Sequence, residues 1–179
     1  AMHLLDTACF TYHRPQSARW MSLCIHGISS VHTNCADDYG LPDDYEETDS
    51  HWTDIAKFCP KTVDFMENHL RYEDYTRVRF MILLPGGWIG PHSDKDRQGF
   101  GATNIAVNNP DGCALVMENW GTMPFEPGAI MKINTHYNHA VWNRSNTPRI
   151  HMIVDGGMGD YFKDRCVESY KRRGGMLDI

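Results

Sequence analysis

Six short segments between residues 77 and 155 restrict the possible folds of this chain more than any other feature. The first, RVRFMILLP, has the composition and alternation of a strand and ends in the turn residues Pro85-Gly86-Gly87. Five more follow at close spacing, with turn residues between them: TNIAVNN, CALVMEN, GAIMKIN, HAVWN and RIHMIVD. Short strands separated by turns are typical of a sandwich or barrel. We therefore predict a mainly β fold over 77–155, an antiparallel barrel of the jelly-roll kind.

Helical patterns flank this β region. Pro60 suits the first turn of a helix, and Val63, Met66 and Leu70 follow at spacings that form one apolar face. The stretch DYFKDRCVESYKRRGG predicts a second helix near the end of the sequence, with Asp160 as its N-cap. Because no repeat, low-complexity tract or linker interrupts the 179 residues, we expect them to form a single domain.

Charge and cysteine spacing argue against several classes of function. The net charge of −6 offers no basic surface for the phosphates of nucleic acid, so we expect no nucleic-acid partner. No uninterrupted apolar run reaches the roughly 18 residues of a membrane span, so no membrane partner is expected either. The six cysteines contain no CxxC pair, and we expect no secretion signal, which together predict free thiols in a reducing, cytoplasmic setting.

Residues 36–50, ADDYGLPDDYEETDS, form an acidic segment rich in turn residues. A solvated surface loop is the simpler interpretation of this composition. The functional alternative is a lid that selects substrates carrying a positive charge.

Pro91-His92-Ser93-Asp94 gives the first indication of chemistry. In a strand, residues i and i+2 point to the same face, so the His92 imidazole and the Asp94 carboxylate can converge on one point. His139 opens a later apolar segment that an antiparallel barrel can bring beside the first. Two histidines and one carboxylate form the facial triad of non-haem Fe(II) oxygenases, which leaves positions open for a co-substrate and O2. Each residue alone has a plainer interpretation, as a turn or half-buried side chain.

Arg149 lies ten positions after His139, at the start of RIHMIVD. A hairpin of this length places Arg149 across from the His139 strand and facing the same cavity. An arginine inside a barrel is unfavourable unless it is paired, and its guanidinium fork matches a carboxylate. Its predicted partner is therefore the far carboxylate of a dicarboxylate that chelates the metal. His151 shares the face of Arg149; a pocket-wall residue is the simpler interpretation, and a supporting partner of the arginine is the alternative.

The region from Arg77 to Asp155 resembles the catalytic core of the aspartyl/asparaginyl β-hydroxylase family. The resemblance rests on four segments in the family's order: RVRFMILLPGGWIGPHSD, PDGCALV, PFEPGAIMKIN and HAVWNRSNTPRIHMIVD. It implies a double-stranded β-helix fold, dependence on Fe(II) and 2-oxoglutarate, and a hydroxylation that releases succinate and CO2. Carried over to this sequence, the iron ligands are His92, Asp94 and His139. The residue that grips the C5 carboxylate of 2-oxoglutarate is Arg149.

The sequence departs from the family pattern in two places. A second family arginine near the co-substrate falls at Ala102, so that contact is missing or replaced. Asn104, two residues on and on the same strand face, is the predicted donor to the C1 carboxylate instead. After the last core strand, Asp155-Gly156-Gly157-Met158 stands where the family often has an aromatic residue and a histidine. This second departure leaves the mode of substrate binding open.

The substrate is the least determined part of the prediction. Candidates are a free amino acid, as for the bacterial proline hydroxylases of the family, and an Asp or Asn side chain in a peptide. Arg77 and Arg79 alternate on one face of a core strand, where they either bind a substrate carboxylate or face outward. Lys95 and Arg97 lie beside the expected mouth of the cavity, and the same two alternatives apply to them.

Two other classes compete with the oxygenase. A cupin-type metalloenzyme that does not use 2-oxoglutarate has a similar fold, but cupins usually carry H-x-H where this chain has His92-Ser93-Asp94. Arg149 also has no explanation in that class. A non-catalytic jelly-roll module that binds a small ligand is the other alternative, and it gives no reason to retain a metal site.

Overall fold

Antiparallel strands dominate the computed structural model, which describes residues 9–30, 50–94 and 101–172. The strands are β1 (Phe10–Thr11), β2 (Ser17–Gly27), β3 (His51–Trp52), β4 (Arg77–His92), β5 (Thr103–Ala106), β6 (Cys113–Met117), β7 (Gly121–Thr122), β8 (Ile130–Lys132), β9 (His139–Asn143) and β10 (Arg149–Asp155). The helical elements are a 3₁₀ turn (Ala56–Phe58), α1 (Pro60–Asp64), which continues as a π-helix (Phe65–Leu70), and α2 (Asp160–Arg172). The predicted mainly β fold with flanking helices is confirmed.

Strand β4 is long enough to belong to both layers of a jelly roll. Its first half pairs with β2 on one side and with β10 on the other. Its second half pairs with β9, ending with His92 opposite His139. Strands β5 and β8 extend the first layer, and β6 and β7 extend the second. The two layers enclose a cavity between them, as a double-stranded β-helix does.

The residues Pro85-Gly86-Gly87 lie inside β4 rather than at its end, so the predicted turn was wrong. Arg19 of β2 is the one residue opposite positions 84–87 of β4. Gly86 and Arg19 have φ angles of 73° and 57°, and Arg19 Nη1 donates a hydrogen bond of 2.6 Å to the Pro85 carbonyl. The three extra residues of β4 form an irregular bulge, at which the strand passes from one layer into the other instead of reversing.

Alternation along β4 separates the core from the cavity. Phe80 and Ile82 face the helices, where they pack with side chains of β2, the π-helix and α2, including Leu23, Met66, Leu70 and Phe162. Arg79 and Met81 face the cavity. A second apolar cluster lies between the two layers and includes Leu83, Ile89, Leu115, Phe125 and Val141. The helices therefore cover the outer face of the first layer and leave its inner face available for a site.

The two predicted helices form, with changes in detail. Pro60 occupies the start of α1, as predicted, and Met66 and Leu70 are buried. The helical chain becomes a π-helix at Phe65, which the apolar spacing does not distinguish from an α-helix. Asp160 is the first residue of α2 instead of its N-cap, and it accepts a 3.1 Å hydrogen bond from Lys163 Nζ. Among residues 9–30, 50–94 and 101–172, none of the helices is long and apolar enough to cross a membrane.

A fully buried amide fixes the hairpin between β9 and β10. Asn143 Nδ2 donates to the carbonyls of Leu83 and Thr147, each at 2.8 Å. Its Oδ1 accepts from Ser145 N at 2.9 Å, from Ser145 Oγ at 2.7 Å and from Cys113 Sγ at 3.1 Å. Both amide hydrogens are thus used, and the hairpin that carries His139 and Arg149 is tied to β4.

We expect Asn143→Ala to lower the free energy of unfolding by about 2–4 kcal/mol, because it leaves several buried polar groups without their partner. Urea denaturation monitored by tryptophan fluorescence measures the change. Asn138→Ala makes the same substitution at the exposed residue that directly precedes β9. It should change the free energy of unfolding by no more than about 0.5 kcal/mol. Equal stabilities for the two variants would contradict the role given to Asn143.

Candidate active site

The cavity between the two layers has a volume of about 680 Å³. Strands β4 and β10 form one wall, from which Met81, His151 and Ile153 face the interior. Leu115 of β6 and Val141 of β9 form the facing wall. A space of this size accommodates a small dicarboxylate together with part of a second molecule.

His92, Asp94 and His139 meet at one edge of the cavity. The pairing of β4 with β9 sets the two histidines opposite each other, and their ring centroids are 4.3 Å apart. The Asp94 amide donates a 2.9 Å hydrogen bond to the Thr135 carbonyl, which holds the carboxylate beside the rings. One ligand atom from each residue lies within 4.8 Å of the other two. The structure thus brings the three predicted ligands together.

Backbone carbonyls fix the tautomer of both histidines. His92 Nδ1 lies 2.9 Å from the Gly90 carbonyl, and His139 Nδ1 lies 3.1 Å from the Tyr137 carbonyl. Because a carbonyl oxygen only accepts, each Nδ1 carries the hydrogen and each Nε2 keeps its lone pair for a metal. Burial lowers the pKa of His139, which favours the neutral ring that a metal requires. Two imidazole nitrogens and one carboxylate fit Fe(II), with coordination positions left over.

Arg149 lies deep inside the same cavity and is only 1% exposed. Its Nε donates to Asn109 Oδ1 at 3.0 Å, its Nη1 donates to His151 Nδ1 at 3.1 Å, and its guanidinium carbon is 4.8 Å from the Phe125 ring centroid. All three of these partners are neutral. Burial lowers the pKa of Arg149 to about 10, so the guanidinium is still charged at neutral pH. A buried cation with neutral partners is a receptor for an anion.

His151 lies on the cavity wall, as the simpler interpretation predicted, and it also contacts Arg149. Arginine always donates, so His151 Nδ1 must accept and the hydrogen of the ring is on Nε2. Burial, with Arg149 and Arg79 nearby, keeps the pKa of His151 well below its ordinary value. His151 is therefore neutral, and it also contacts Phe125 edge-on at 5.7 Å between ring centroids.

We expect the metal-free protein to lose stability as the pH falls below about 6.5. Burial lowers the pKa of His26 and of His151, so the unfolded chain binds more protons than the folded one in this range. The folded state is not penalised above the unfolded-state pKa, and stability is lost as the pH falls from that value towards the lower folded-state pKa. Urea denaturation between about pH 7.5 and about pH 5.5 measures the slope, to which each group contributes at most about 1.4 kcal/mol per pH unit. His151→Gln should make the slope smaller, and an unchanged slope would contradict the assignment.

Asn104 and the two strand arginines lie on the cavity wall. Asn104 is buried, and its Nδ2 donates to the Ala102 carbonyl at 3.0 Å, which leaves one N–H of the amide for a ligand. Arg77 and Arg79 face inward, which decides between the two orientations that the sequence left open. Asp155 Oδ2 lies 3.3 Å from Arg77 Nε and 3.2 Å from Arg79 Nη2.

Several residues of the cavity were missed in the sequence. Tyr12 and Trp20 stack at 3.9 Å between centroids, and the Arg14 guanidinium lies over both rings at one end of the cavity. Nothing in the mixed composition of 9–20 indicated this wall. Asn109 was hidden because Asn-Pro-Asp-Gly is typical of a turn. Lys95, Arg97 and the acidic residues 36–49 lie outside the described residues.

A family model described as Aspartyl/Asparaginyl beta-hydroxylase matches residues 16–157. The chain belongs to this family. The predicted resemblance and the predicted enzyme class, a 2-oxoglutarate/Fe(II)-dependent dioxygenase that acts as a hydroxylase, are confirmed by that membership. The match includes β2 as well as the segments that suggested the family, so it covers most of the first layer and all of the second. No curated protein matches this sequence.

Solved structures that are similar to this chain include a 2OG-Fe(II) oxygenase family protein, a prolyl-4-hydroxylase and a cupin-superfamily protein. A 2OG-Fe(II) oxygenase family oxidoreductase from Burkholderia pseudomallei is 14% identical over 78% of this chain and 70% of its own, with a TM-score of 0.44. A prolyl-4-hydroxylase from Pseudomonas putida is 13% identical over 83% and 77%, with a TM-score of 0.39. A cupin-superfamily sugar phosphate isomerase from Silicibacter pomeroyi is 20% identical over 44% of this chain, with a TM-score of 0.35. The match spans 48%, about half, of that cupin's length.

Proposed function

We propose that this protein is a hydroxylase whose Fe(II) is held by His92, Asp94 and His139 and whose 2-oxoglutarate is anchored by Arg149. The observation that carries the proposal is the Arg149 guanidinium, which is buried with neutral partners in the cavity that the three metal-binding side chains border. Leaving a charge buried without a counter-charge is unfavourable, so the site favours a ligand that brings an anion to this depth. A metal-chelating 2-oxo acid with a second carboxylate is such a ligand.

The guanidinium has the geometry that a carboxylate requires. Of its five N–H groups, one on Nε and one on Nη1 are used by Asn109 and His151. Each terminal nitrogen therefore keeps at least one N–H, which is sufficient for a bidentate contact with the C5 carboxylate. At the other end of the co-substrate, the remaining N–H of Asn104 is the proposed donor to the C1 carboxylate.

The cavity walls contribute orientation and exclusion of water. When bound, Fe(II) and 2-oxoglutarate supply the oxidising chemistry, with hydroxylated product, succinate and CO2 as the outcome. Nε2 of both histidines and the Asp94 carboxylate would hold the metal, and a set of three protein ligands would leave positions for the co-substrate and O2. Apolar side chains such as Leu115, Ile133 and Val141 line the space beside the triad and keep it dry.

The proposed substrate is an amino acid or an Asp or Asn side chain of a peptide. Arg14, Arg79 and the Tyr12 hydroxyl line the cavity and offer donors to a carboxylate or an amide carbonyl. This interpretation does not require the acidic segment 36–50 to select a cation.

Anaerobic titration of 2-oxoglutarate into the Fe(II)-loaded protein tests the proposal. We expect a visible metal-to-ligand charge-transfer band that saturates, because the 2-oxo acid chelates an iron with open positions. No band with iron demonstrably bound would favour the cupin-type enzyme, and no iron binding would favour a binding module. Succinate release in the presence of candidate amino acids and peptides then distinguishes the substrates.

A further inference from the structure

We propose that Asn109 and His151 are positioning residues that orient the Arg149 guanidinium for a dicarboxylate and leave its charge available. This inference rests on the proposed role of Arg149 as the anchor for the C5 carboxylate. Neither residue needs to touch the co-substrate in order to act. Their effect is on which 2-oxo acid the site prefers.

The segment that carries Asn109 is fixed to β10. Asn108 Oδ1 accepts a 2.6 Å hydrogen bond from the Ile150 amide, and Asn108 Nδ2 donates to the Pro148 carbonyl at 3.0 Å. The amides of Val107 and Asn108 both donate to the Ile150 carbonyl, at 3.1 Å and 3.0 Å. Three hydrogen bonds from Asn108 and one from Val107 therefore hold this segment against Pro148 and Ile150, the two residues that flank Arg149. The Oδ1 atom that meets Arg149 Nε is consequently placed by a rigid loop.

The three neutral contacts restrain the guanidinium in different directions. Asn109 holds the Nε side and His151 holds Nη1, while the Phe125 ring lies 4.8 Å from the guanidinium carbon. His151 is itself restrained by its edge-on contact with Phe125. A long, flexible arginine side chain is thus held in one orientation before any ligand arrives, which reduces the ordering needed for binding.

The neutrality of Asn109 matters as much as its position. Arginines inside proteins are ordinarily paired with a carboxylate. An aspartate at position 109 has nearly the same shape as asparagine, but it brings a negative charge to Arg149 Nε. That charge would compete with the co-substrate for the guanidinium. The amide instead gives a hydrogen bond and leaves the positive charge for the ligand.

The test compares 2-oxoglutarate with pyruvate, which has the same metal-chelating 2-oxo acid group but no distal carboxylate. Dissociation constants for both are measured on Fe(II)-loaded protein without O2, by the charge-transfer band and by calorimetry. Asn109→Asp is expected to weaken 2-oxoglutarate binding by about 10- to 100-fold, because its carboxylate competes with the ligand for the guanidinium by an amount comparable to one hydrogen bond to a charged group. Pyruvate binding should be unchanged, because its contacts are at the iron. A purely structural defect would weaken the binding of both 2-oxoglutarate and pyruvate.

Asn146→Asp is the matched control. It adds the same charge at an exposed position of the β9–β10 turn, three residues before Arg149, and it keeps the oxygen that accepts from Thr147 Oγ1. It should leave the preference for 2-oxoglutarate over pyruvate close to that of the unmodified protein.

His151 is tested by a pair of variants. His151→Leu should reduce the preference by about tenfold, and His151→Gln, which keeps an acceptor, should restore much of it.

The outcomes separate the inference from the proposed function. If the unmodified protein binds 2-oxoglutarate no more tightly than pyruvate, the anchoring role of Arg149 fails. If that preference exists and Asn109→Asp and His151→Leu both leave it intact, the distal carboxylate is anchored in the cavity but the positioning role of Asn109 and His151 fails. If Asn109→Asp does not fold, Asn109→Ala and His151→Leu still decide the question.

Discussion

His139→Ala is expected to abolish turnover and to weaken Fe(II) binding by more than about a hundredfold, because loss of a supporting residue alone can cost 10- to 100-fold in metal affinity. His139 contributes one of the two ring nitrogens of the proposed ligand set, and its orientation is fixed by the hydrogen bond from Nδ1 to Tyr137 O. Water can fill the vacated position, but it gives neither the affinity nor the fixed geometry of the imidazole. Anaerobic competition with a colorimetric chelator measures the affinity, and succinate release measures turnover.

His136→Ala is the control for this substitution. His136 is exposed and lies three residues before His139, in the loop that leads into β9. It is outside the candidate metal-ligand set found among the described residues. It should retain metal binding and activity. His92→Ala should behave like His139→Ala, since the two rings face each other across the β4–β9 pair. Full activity in either ligand variant would remove the triad from the mechanism.

The strands that carry the site were the most predictable part of the fold. HAVWN and RIHMIVD form β9 and β10 with the bounds that their composition suggested. Alternation predicted that His92 and Asp94 meet, although Asp94 lies two residues past the end of β4 and is placed by the hydrogen bond from its amide to the Thr135 carbonyl. In β10, alternation does fix the shared face of Arg149 and His151. The convergence of His139 on the first pair needed only one long-range assumption, an antiparallel barrel.

Features that depend on distant partners were not predictable in the same way. A Gly-Gly pair after a strand fits both a reversal and a bulge, and the bulge at Gly86 depends on Arg19 in a strand far away in sequence. The role of Asn109 depends on β10 returning beside it some 40 residues later. Local residue preference carries no information about such contacts, so a turn was the natural interpretation of Asn-Pro-Asp-Gly.

Arg149→Ala should weaken 2-oxoglutarate binding by about two to four powers of ten, since removing one partner of a buried charge pair costs about 3–5 kcal/mol. The guanidinium is charged, since its pKa of about 10 lies above neutral pH, and its described partners Asn109, His151 and Phe125 are neutral. The whole of its charge is therefore available to the ligand. Arg149→Lys should recover only part of the affinity, because an ammonium group is a point charge that cannot form the bidentate contact.

Calorimetry on the Fe(II)-loaded variants without O2 measures this loss, with pyruvate as the reference ligand. Pyruvate affinity should be retained in Arg149→Ala, because chelation at the triad does not involve the arginine. Arg144→Ala removes an exposed arginine of the same hairpin, whose guanidinium lies over the Trp142 ring at 5.3 Å, and it should leave both affinities unchanged. If Arg149→Ala binds 2-oxoglutarate as tightly as the unmodified protein, the distal carboxylate is bound elsewhere, and the inward-facing Arg77 and Arg79 become the next candidates.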